Sequence, residues 1–385
     1  MSGATVQGAK RPEQFHILTS LRGILAVQIV AFHFSGFWLI EPNVPRTEYG
    51  PIFSHIHVTV DMFFLLSGFI MAHVHGKEFL TGFDRGIYRR YLWLRIARIY
   101  PLHILVLAGF LALEFLNVAI GDPNAFKDLD RTPQSVISNI LLIHSWGIEP
   151  NLTWNYPSWS ISVEWSAYLL FPLFVWIFLK RSAIFAAAST VGIFAVMYWL
   201  WSLDPDLGLD RTYDWGVVRG LCSFAFGLVL YRFYQGVARH WEFNSSVMTV
   251  VGIAGFIFLP LAFYLDFHDL AIFALYGPFI ILFLMPENRL KGWLENKPLI
   301  FLGDISYALY MVHALVQRIF AKLVHMGWIK YEGFWTSVAF ALFVELVAII
   351  ISIGVYYWFE KPTRRYVRKM FAENKAKREA VSPAQ

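Results

Sequence analysis

Long apolar segments recur along the whole sequence, and they constrain its fold more than any other feature. Ten segments approach or exceed the roughly 20 residues that an α-helix needs to cross a bilayer. They cover residues 16–39, 56–75, 98–118, 159–179, 182–202, 215–234, 246–266, 268–285, 299–320 and 335–359. Charged residues make up only 15% of the chain, against about 25% in soluble domains. The sequence therefore predicts an all-α, polytopic integral membrane protein with about ten transmembrane helices.

Basic residues are distributed unevenly among the segments that connect these spans. They concentrate between the second and third spans and after the last span, whereas the alternate connections hold few. Because basic residues favour the cytoplasmic side, we expect both termini to be cytoplasmic. The same bias accounts for the net charge of +5. We therefore expect the lipid bilayer, and no nucleic acid, as the partner of these basic residues.

The spans use almost the whole chain. We expect a cytoplasmic tail over 1–15, a transmembrane domain over 16–362 and a basic cytoplasmic tail over 363–385. The longest outer connection, 119–158, contains the apolar stretch SVISNILLIHSW, which is too short to cross and predicts a re-entrant or interfacial helix. The single cysteine, Cys222, excludes an internal disulfide framework and a multi-cysteine metal site.

The interior of the first span carries two ionisable residues, Arg22 and His33. At 100° per residue their separation of eleven residues differs from three full turns by only about 20°, so the two side chains share one helix face. They lie about 16 Å apart along the axis, which places Arg22 toward the cytoplasmic end and His33 in the outer half. An ionisable side chain inside a bilayer indicates a functional site by default.

Ionisable residues of three other spans fall at the depth of His33. These are Asp61 in VDMFFLLSGF, Glu164 in SWSISVEWSAYLLFP and His313 in GDISYALYMVH. We expect the four side chains to converge near the outer leaflet. Two alternatives remain open: Asp61 caps the start of the second span, and His313 is an ordinary interfacial histidine.

At the inner side, Arg22 has companions in Arg95 and Arg98 of RIARIYP, which are three residues apart and share one helix face. Arginines bind phosphate or pyrophosphate with fork geometry. The alternative is that Arg95 and Arg98 only anchor the helix at the cytoplasmic surface.

A histidine beside a carboxylate can act as general base toward a hydroxyl group, with the carboxylate holding its tautomer. Arginines at the opposite end suit a phosphate-bearing activated donor. Together these residues indicate a donor on the cytosolic side and a hydroxyl acceptor on the outer side. Acyl transfer from acyl-CoA fits this arrangement.

Six motifs in one order carry a resemblance to a known family: LRGILAVQIVAFH, VDMFFLLSGFI, RIARIYPLHI, SWSISVEWSAYLLFPL, GDISYALYMVH and FEKPTRR. Over about residues 15–365 the sequence resembles the acyltransferase-3 family of membrane O-acyltransferases. The resemblance implies a ten-helix enzyme of a bacterial inner (plasma) membrane that modifies envelope or secreted glycans, or occasionally small molecules, with acetyl-CoA as the usual donor. Arg22 and His33 match the family's Arg/His motif, and Arg95 and Arg98 match its Arg-x-x-Arg motif.

We assign residue roles from the chemical argument and the family resemblance together. The catalytic residues are His33 as general base, with Glu164 or Asp61 to orient it. The donor, acetyl-CoA or another acyl-CoA, is assigned to Arg22, Arg95, Arg98 and Ser67. The acceptor is assigned to Trp159, Ser160, Ser306, Tyr307 and His313. We expect no metal, a carbohydrate acceptor and an association with polysaccharide-biosynthesis proteins.

Three alternatives to this mechanism and function remain. A covalent acyl-enzyme on Ser67 or Ser306 is less favoured because the sequence shows no base for either serine. A proton-coupled secondary transporter would use His33, Asp61 and Glu164 as a proton relay. A purely structural assembly protein would tolerate loss of His33 and Arg22.

Overall fold

The computed structural model describes residues 14–35, 55–122, 125–126, 131–285 and 289–370. These residues form helices and connecting turns, without a β-strand. Nine of the described helices are long and apolar enough to cross a membrane, and another apolar helix has 16 residues. The prediction of an all-α, polytopic membrane protein is confirmed. Most of the predicted N-terminal tail and the end of the predicted C-terminal tail lie outside the described residues, as do residues 36–39 of the first span.

The helices follow the predicted spans closely. They are α1 (His16–Phe34), α2 (Thr59–Leu80), α3 (Arg85–Ala119), α4 (Pro133–Ile140), α5 (Trp159–Phe174), α6 (Ala183–Ser202), α7 (Gly216–Gly236), α8 (Ser245–Tyr264), α9 (Asp269–Leu284), α10 (Leu290–Leu294), α11 (Lys297–His325) and α12 (Phe334–Val355). A wider helical turn extends α5 to Lys180. Another extends α12 through Glu360, and the helix then continues to Met370.

Helices α3 and α12 extend furthest beyond their apolar segments. Helix α3 starts at Arg85, where the Asp84 carboxylate caps it by accepting a hydrogen bond of 2.7 Å from the Ile87 backbone N–H. Arg95 and Arg98 therefore lie on one helix, as predicted, well after its start. Helix α12 runs past the boundary at 362 that the sequence predicted. A search for apolar segments misses both extensions, because the first turns of α3 and the last turns of the extended α12 are rich in charged residues.

The apolar stretch in 119–158 does not cross the membrane. It forms the short helix α4, which begins with a reciprocal hydrogen-bonded cap between Thr132 and Ser135. The following turn is fastened to α5, because the Ser162 hydroxyl donates to the Leu142 carbonyl at 2.8 Å and accepts from the Ser145 backbone N–H at 3.3 Å. This connection therefore covers one end of α5.

Close helix crossings fix the centre of the bundle. Helix α1 packs mainly against α11, and α2 packs mainly against α7. A Cβ atom on Gly303 would lie 1.9 Å from the Thr19 carbonyl oxygen, and one on Gly68 would lie 2.0 Å from the Phe224 carbonyl oxygen. Lipid offers little hydrophobic drive for helix association, so small residues that let backbones touch stabilise such crossings. The α1–α11 crossing lies one turn from Arg22.

Gly303→Ala is expected to destabilise the protein, although alanine favours helices more than glycine does. The added methyl group must push α1 away from α11, and overpacking of this kind costs about 1–3 kcal/mol. We expect a lower midpoint of thermal unfolding in detergent. Gly192→Ala in α6 is the control, because nothing lies within 4 Å of the added Cβ. Equal midpoints for the two variants would contradict the tight crossing.

Candidate active site

One cavity of about 470 Å³ lies among α1, α2, α3, α5, α11 and the extension of α12. Its lining combines arginines, carboxylates, hydroxyl groups and aromatic rings. Eight of the residues assigned from the sequence line it: Arg22, Ser67, Arg95, Arg98, Ser160, Glu164, Ser306 and Tyr307. Four assigned residues are not part of this lining: His33, Asp61, Trp159 and His313.

Five arginines define one end of the cavity, which we call the arginine end: Arg22, Arg95, Arg98, Arg364 and Arg368. The first three were predicted from the sequence, and the last two were not. The guanidinium group of Arg98 lies 6.0 Å from the ring centre of Tyr307, and that of Arg95 lies 5.8 Å from the ring centre of Tyr168. The aromatic rings therefore hold both cations in place by cation–π attraction.

A buried carboxylate, Glu360, balances part of this positive charge. It accepts a hydrogen bond of 3.1 Å from Arg364, and its charge also acts on Arg98 and Arg22. Within the described residues, its second oxygen, Oε2, has no hydrogen-bond partner. Glu360 belongs to the motif FEKPTRR, but its place beside the cavity was not predicted.

The Glu164 carboxylate faces the middle of the cavity. It accepts hydrogen bonds from the Ser67 hydroxyl at 3.0 Å and from the Tyr168 hydroxyl. Ser67 comes from α2, whereas Tyr168 follows Glu164 by one turn of α5. These bonds fix the carboxylate at the height of Ser67 and do not connect it to His33.

His33 pairs with His313, whereas Glu164 and Asp61, the two carboxylates expected to orient it, bond other groups. The His33 Nδ1 atom lies 2.8 Å from His313 Nε2, and His313 Nδ1 lies 3.2 Å from the Leu309 carbonyl oxygen. A carbonyl oxygen only accepts, so His313 Nδ1 carries the proton and its Nε2 accepts from His33 Nδ1–H. In neutral His33 the lone pair is consequently on Nε2. This is the nitrogen that can accept a proton from a substrate.

Two further residues hold this histidine pair, and sequence reasoning missed both. Gln317 Nε2 donates to the His33 carbonyl oxygen at 2.7 Å, and the Tyr156 hydroxyl donates to Gln317 Oε1 at 2.8 Å. The Tyr156 ring also contacts His33 edge-on, with ring centres 4.9 Å apart. Gln317 follows His313 by one helical turn, so that spacing is a signal that could have indicated it.

Asp61 lies elsewhere in the bundle, and this differs from the predicted convergence. Both of its oxygens accept hydrogen bonds from Arg219, at 2.7–3.1 Å, and the Ser223 hydroxyl donates to it at 2.7 Å. The side chains of Asp61 and Arg219 are fully buried. A buried carboxylate needs an opposite charge, and α7 supplies it.

Trp159 belongs to the same region as this ion pair. Its ring lies 5.5 Å from the Arg219 guanidinium group and contacts Phe64 edge-on. It therefore covers the ion pair and does not reach the cavity, where the sequence had assigned it to the acceptor. Its neighbour Ser160 does line the cavity and donates to the Tyr310 hydroxyl at 2.8 Å.

Tyr310 connects the cavity with the histidine pair. Its ring lines the cavity, and its centre lies 5.8 Å from the centre of the His313 ring. The cavity thus extends from the arginine end, past Glu164, to a side chain in contact range of His313. Cationic groups that bind phosphate at one end and a proton acceptor near the other are the two features that transfer from a phosphate-bearing donor requires.

The architecture and the cavity can be compared with known proteins. A family model described as an acyltransferase domain matches residues 15–357. The chain belongs to the acyltransferase-3 family. It is therefore a membrane acyltransferase that transfers groups other than aminoacyl groups, as the motifs predicted.

Individual relatives share this character. Acyltransferase MdmB of Streptomyces mycarofaciens is 28% identical over 364 residues, which cover 88% of each chain. O-acetyltransferase OatA of Staphylococcus aureus is 21% identical over 388 aligned positions, covering 92% of this chain and 58% of OatA. Protein 2 in picA locus of Rhizobium radiobacter is 35% identical over 121 residues, 31% of this chain and 56% of that protein. No solved structure matches the chain.

No group of three potential metal ligands occurs within the described part of this acyltransferase. His55, just before α2, hydrogen-bonds Asp269 at 2.6 Å and Asp266 at 2.8 Å. Burial disfavours the charged form of His55, but the two carboxylates outweigh it and raise the pKa of His55 above its ordinary value. This cluster fastens the connection before α2 to α9, away from the cavity.

Proposed function

We propose that this acyltransferase moves an acyl group, acetyl in the expected case, from cytosolic acyl-CoA to a hydroxyl group of an envelope or exported carbohydrate. The observation that carries the proposal is that one cavity has arginines at one end and Tyr310, beside the histidine pair, at the other. The concentration of basic residues in alternate connections supports a cytosolic arginine end. The bacterial relatives, one of them named an O-acetyltransferase, support a bacterial inner membrane and a hydroxyl acceptor.

The arginine end binds the phosphate groups of the donor, with Arg95 and Arg98 as the central pair. The pantetheine arm extends past Ser67 and Glu164, which places the thioester toward Tyr310. The acceptor approaches His33 from the opposite side. Ser160, Ser306 and Tyr307 line the same cavity and are available to both substrates.

His33 Nε2 removes the proton of the acceptor hydroxyl as its oxygen attacks the thioester carbonyl carbon. The carbon–sulfur bond breaks, the new ester forms, and the CoA thiolate takes up the proton that His33 holds. His313 keeps His33 in the required tautomer through its own bond to Leu309. This direct transfer needs no acyl-enzyme and no metal.

The transport alternative requires a proton relay through His33, Asp61 and Glu164, and the surroundings of Asp61 do not suit this role. Asp61 is bound by Arg219 and Ser223. A carboxylate in a fully buried ion pair with arginine is unsuited to repeated protonation, because removal of its charge leaves the buried guanidinium unbalanced.

The test is turnover of labelled acetyl-CoA by the purified protein in proteoliposomes that contain glycan acceptors, with mass spectrometry of the acetylated product. Consumption of acetyl-CoA with a mass gain on a glycan is the expected result. Substrate uptake without any release of CoA would overturn the proposal in favour of transport.

Arg98→Gln is expected to raise KM for acetyl-CoA about tenfold and to change kcat much less. Loss of one charge-assisted hydrogen bond to a phosphate corresponds to an effect of this size. A selective increase in KM is typical of a residue that binds ground state and transition state equally. Arg239→Gln is the matched control, since Arg239 is exposed and hydrogen-bonds Gln235 outside the cavity. Equal KM values for both variants would remove Arg98 from the donor site.

A further inference from the structure

The extension of α12 carries two arginines that the sequence analysis assigned to a basic cytoplasmic tail. Arg364 and Arg368 are four residues apart, so they lie on one face of the helix, and both line the cavity. They face Arg95 and Arg98 of α3, with which their charges interact. The arginine end therefore consists of two arginine pairs on two helices, with Arg22 from α1 as a fifth cation.

These cations repel one another, and the neighbouring acids offset the repulsion only in part. Arg368 interacts unfavourably with Arg95 and Arg98, and Arg364 interacts unfavourably with Arg98. Glu360 bonds Arg364 through one oxygen. Like charges held this close favour binding of an anion, and a pair on each side favours an anion with more than one phosphate group.

The two pairs differ in their exposure to solvent. Arg368 is exposed and Arg364 is half-buried, whereas Arg98 lies deeper, against the Tyr307 ring. If the thioester of the donor points toward Tyr310, the part of the donor farthest from the thioester lies beside the more solvent-exposed pair of arginines. In coenzyme A that part carries a separate phosphate, on the 3′-oxygen of the ribose, and the diphosphate lies between it and the thioester.

We propose that Arg364 and Arg368 form a subsite for the 3′-phosphate of coenzyme A, distinct from a diphosphate site at Arg95 and Arg98. The proposal rests on the proposed function, because it assigns a part of the same donor. It makes the last helix a part of the donor site, and it predicts discrimination between acetyl-CoA and its 3′-dephospho analogue.

The experiment compares KM for acetyl-CoA and for acetyl-3′-dephospho-CoA. In the unaltered enzyme we expect the analogue to have a KM roughly tenfold higher, as loss of a charge-assisted contact implies. In the Arg364→Gln/Arg368→Gln variant, KM for acetyl-CoA rises to the value of the analogue, while KM for the analogue stays unchanged. Arg365→Gln is the control, since Arg365 is exposed and is not part of the cavity lining.

The proposed subsite would be overturned if the ratio of KM for the analogue to KM for acetyl-CoA were the same in the double variant as in the unaltered enzyme. Turnover of the analogue serves as the internal measure of folding, because a folded variant keeps it. If the double variant does not fold, Arg368→Gln alone supplies the test, since its side chain is exposed and a reduced ratio is still expected. Failure of the proposed function is distinguishable, because the unaltered enzyme would then consume neither thioester.

Discussion

His33→Gln is expected to lower kcat/KM for acyl transfer by about 10²- to 10⁴-fold, the usual contribution of a positioned general base. Glutamine preserves side-chain volume and a hydrogen bond to His313, but it cannot accept a proton at neutral pH. The measurement is release of CoA from acetyl-CoA in proteoliposomes, together with mass spectrometry of the acceptor. We expect kcat to fall and KM for acetyl-CoA to change little, because the arginine end is intact.

His325→Gln is the matched control for this prediction. His325 is an exposed histidine in the last turn of α11, so the same chemical change is expected to leave transfer at the level of the unaltered enzyme. Undiminished turnover in His33→Gln, with the control also active, would exclude His33 from the chemistry.

The kcat values of three His313 variants test whether His313 positions His33. His313→Ala removes the acceptor of the His33 Nδ1–H bond, so both tautomers of His33 become accessible and kcat falls. His313→Gln restores an acceptor oxygen at this place and is expected to recover part of kcat. A residue that only fills space would show no difference between His313→Gln and His313→Leu.

The sequence predicted contacts within a helix better than contacts between helices. Arg22 and His33 share a face because helical geometry fixes the angle between them, and no knowledge of the bundle is required. The depth of Asp61 was derived in the same way. The depth of a residue, however, does not fix the direction in which its side chain points from the helix. The Asp61 side chain points toward Arg219 of α7. The partner of a buried carboxylate depends on helix rotation, which one sequence does not determine.

The arginine end shows a second limit of sequence reasoning. Arg95 and Arg98 were found because their motif adjoins an apolar segment, whereas Arg364 and Arg368 follow one and were assigned to a basic cytoplasmic tail. The helix continues there because the turn through Glu360 keeps its hydrogen bonds and Arg364 bonds Glu360 one turn earlier. The spacing of Glu360, Arg364 and Arg368 at every fourth residue was a usable signal.

Asp61→Ala is expected to destabilise the protein by about 3–5 kcal/mol, because it leaves the Arg219 guanidinium buried without its counter-charge. Arg219 also donates to the carbonyl oxygens of His57 and Arg211, so the ion pair joins α2, α7 and the segment before α7. We expect the thermal midpoint in detergent to fall by about 5–10 °C. The measurement is the fraction of protein that remains monodisperse after heating, determined by size-exclusion chromatography.

The double variant Asp61→Leu/Arg219→Met separates a structural role from a catalytic one. Removal of both charges eliminates the unpaired ion, so the double variant is expected to be more stable than Asp61→Ala, with a coupling that a double-mutant cycle measures. We also expect it to retain transfer activity at low temperature, because neither side chain lines the cavity. A stable double variant without transfer activity would instead place Asp61 in the chemistry beside His33, as the sequence suggested. Stability and turnover measured on one preparation therefore decide which of the two roles the buried carboxylate has.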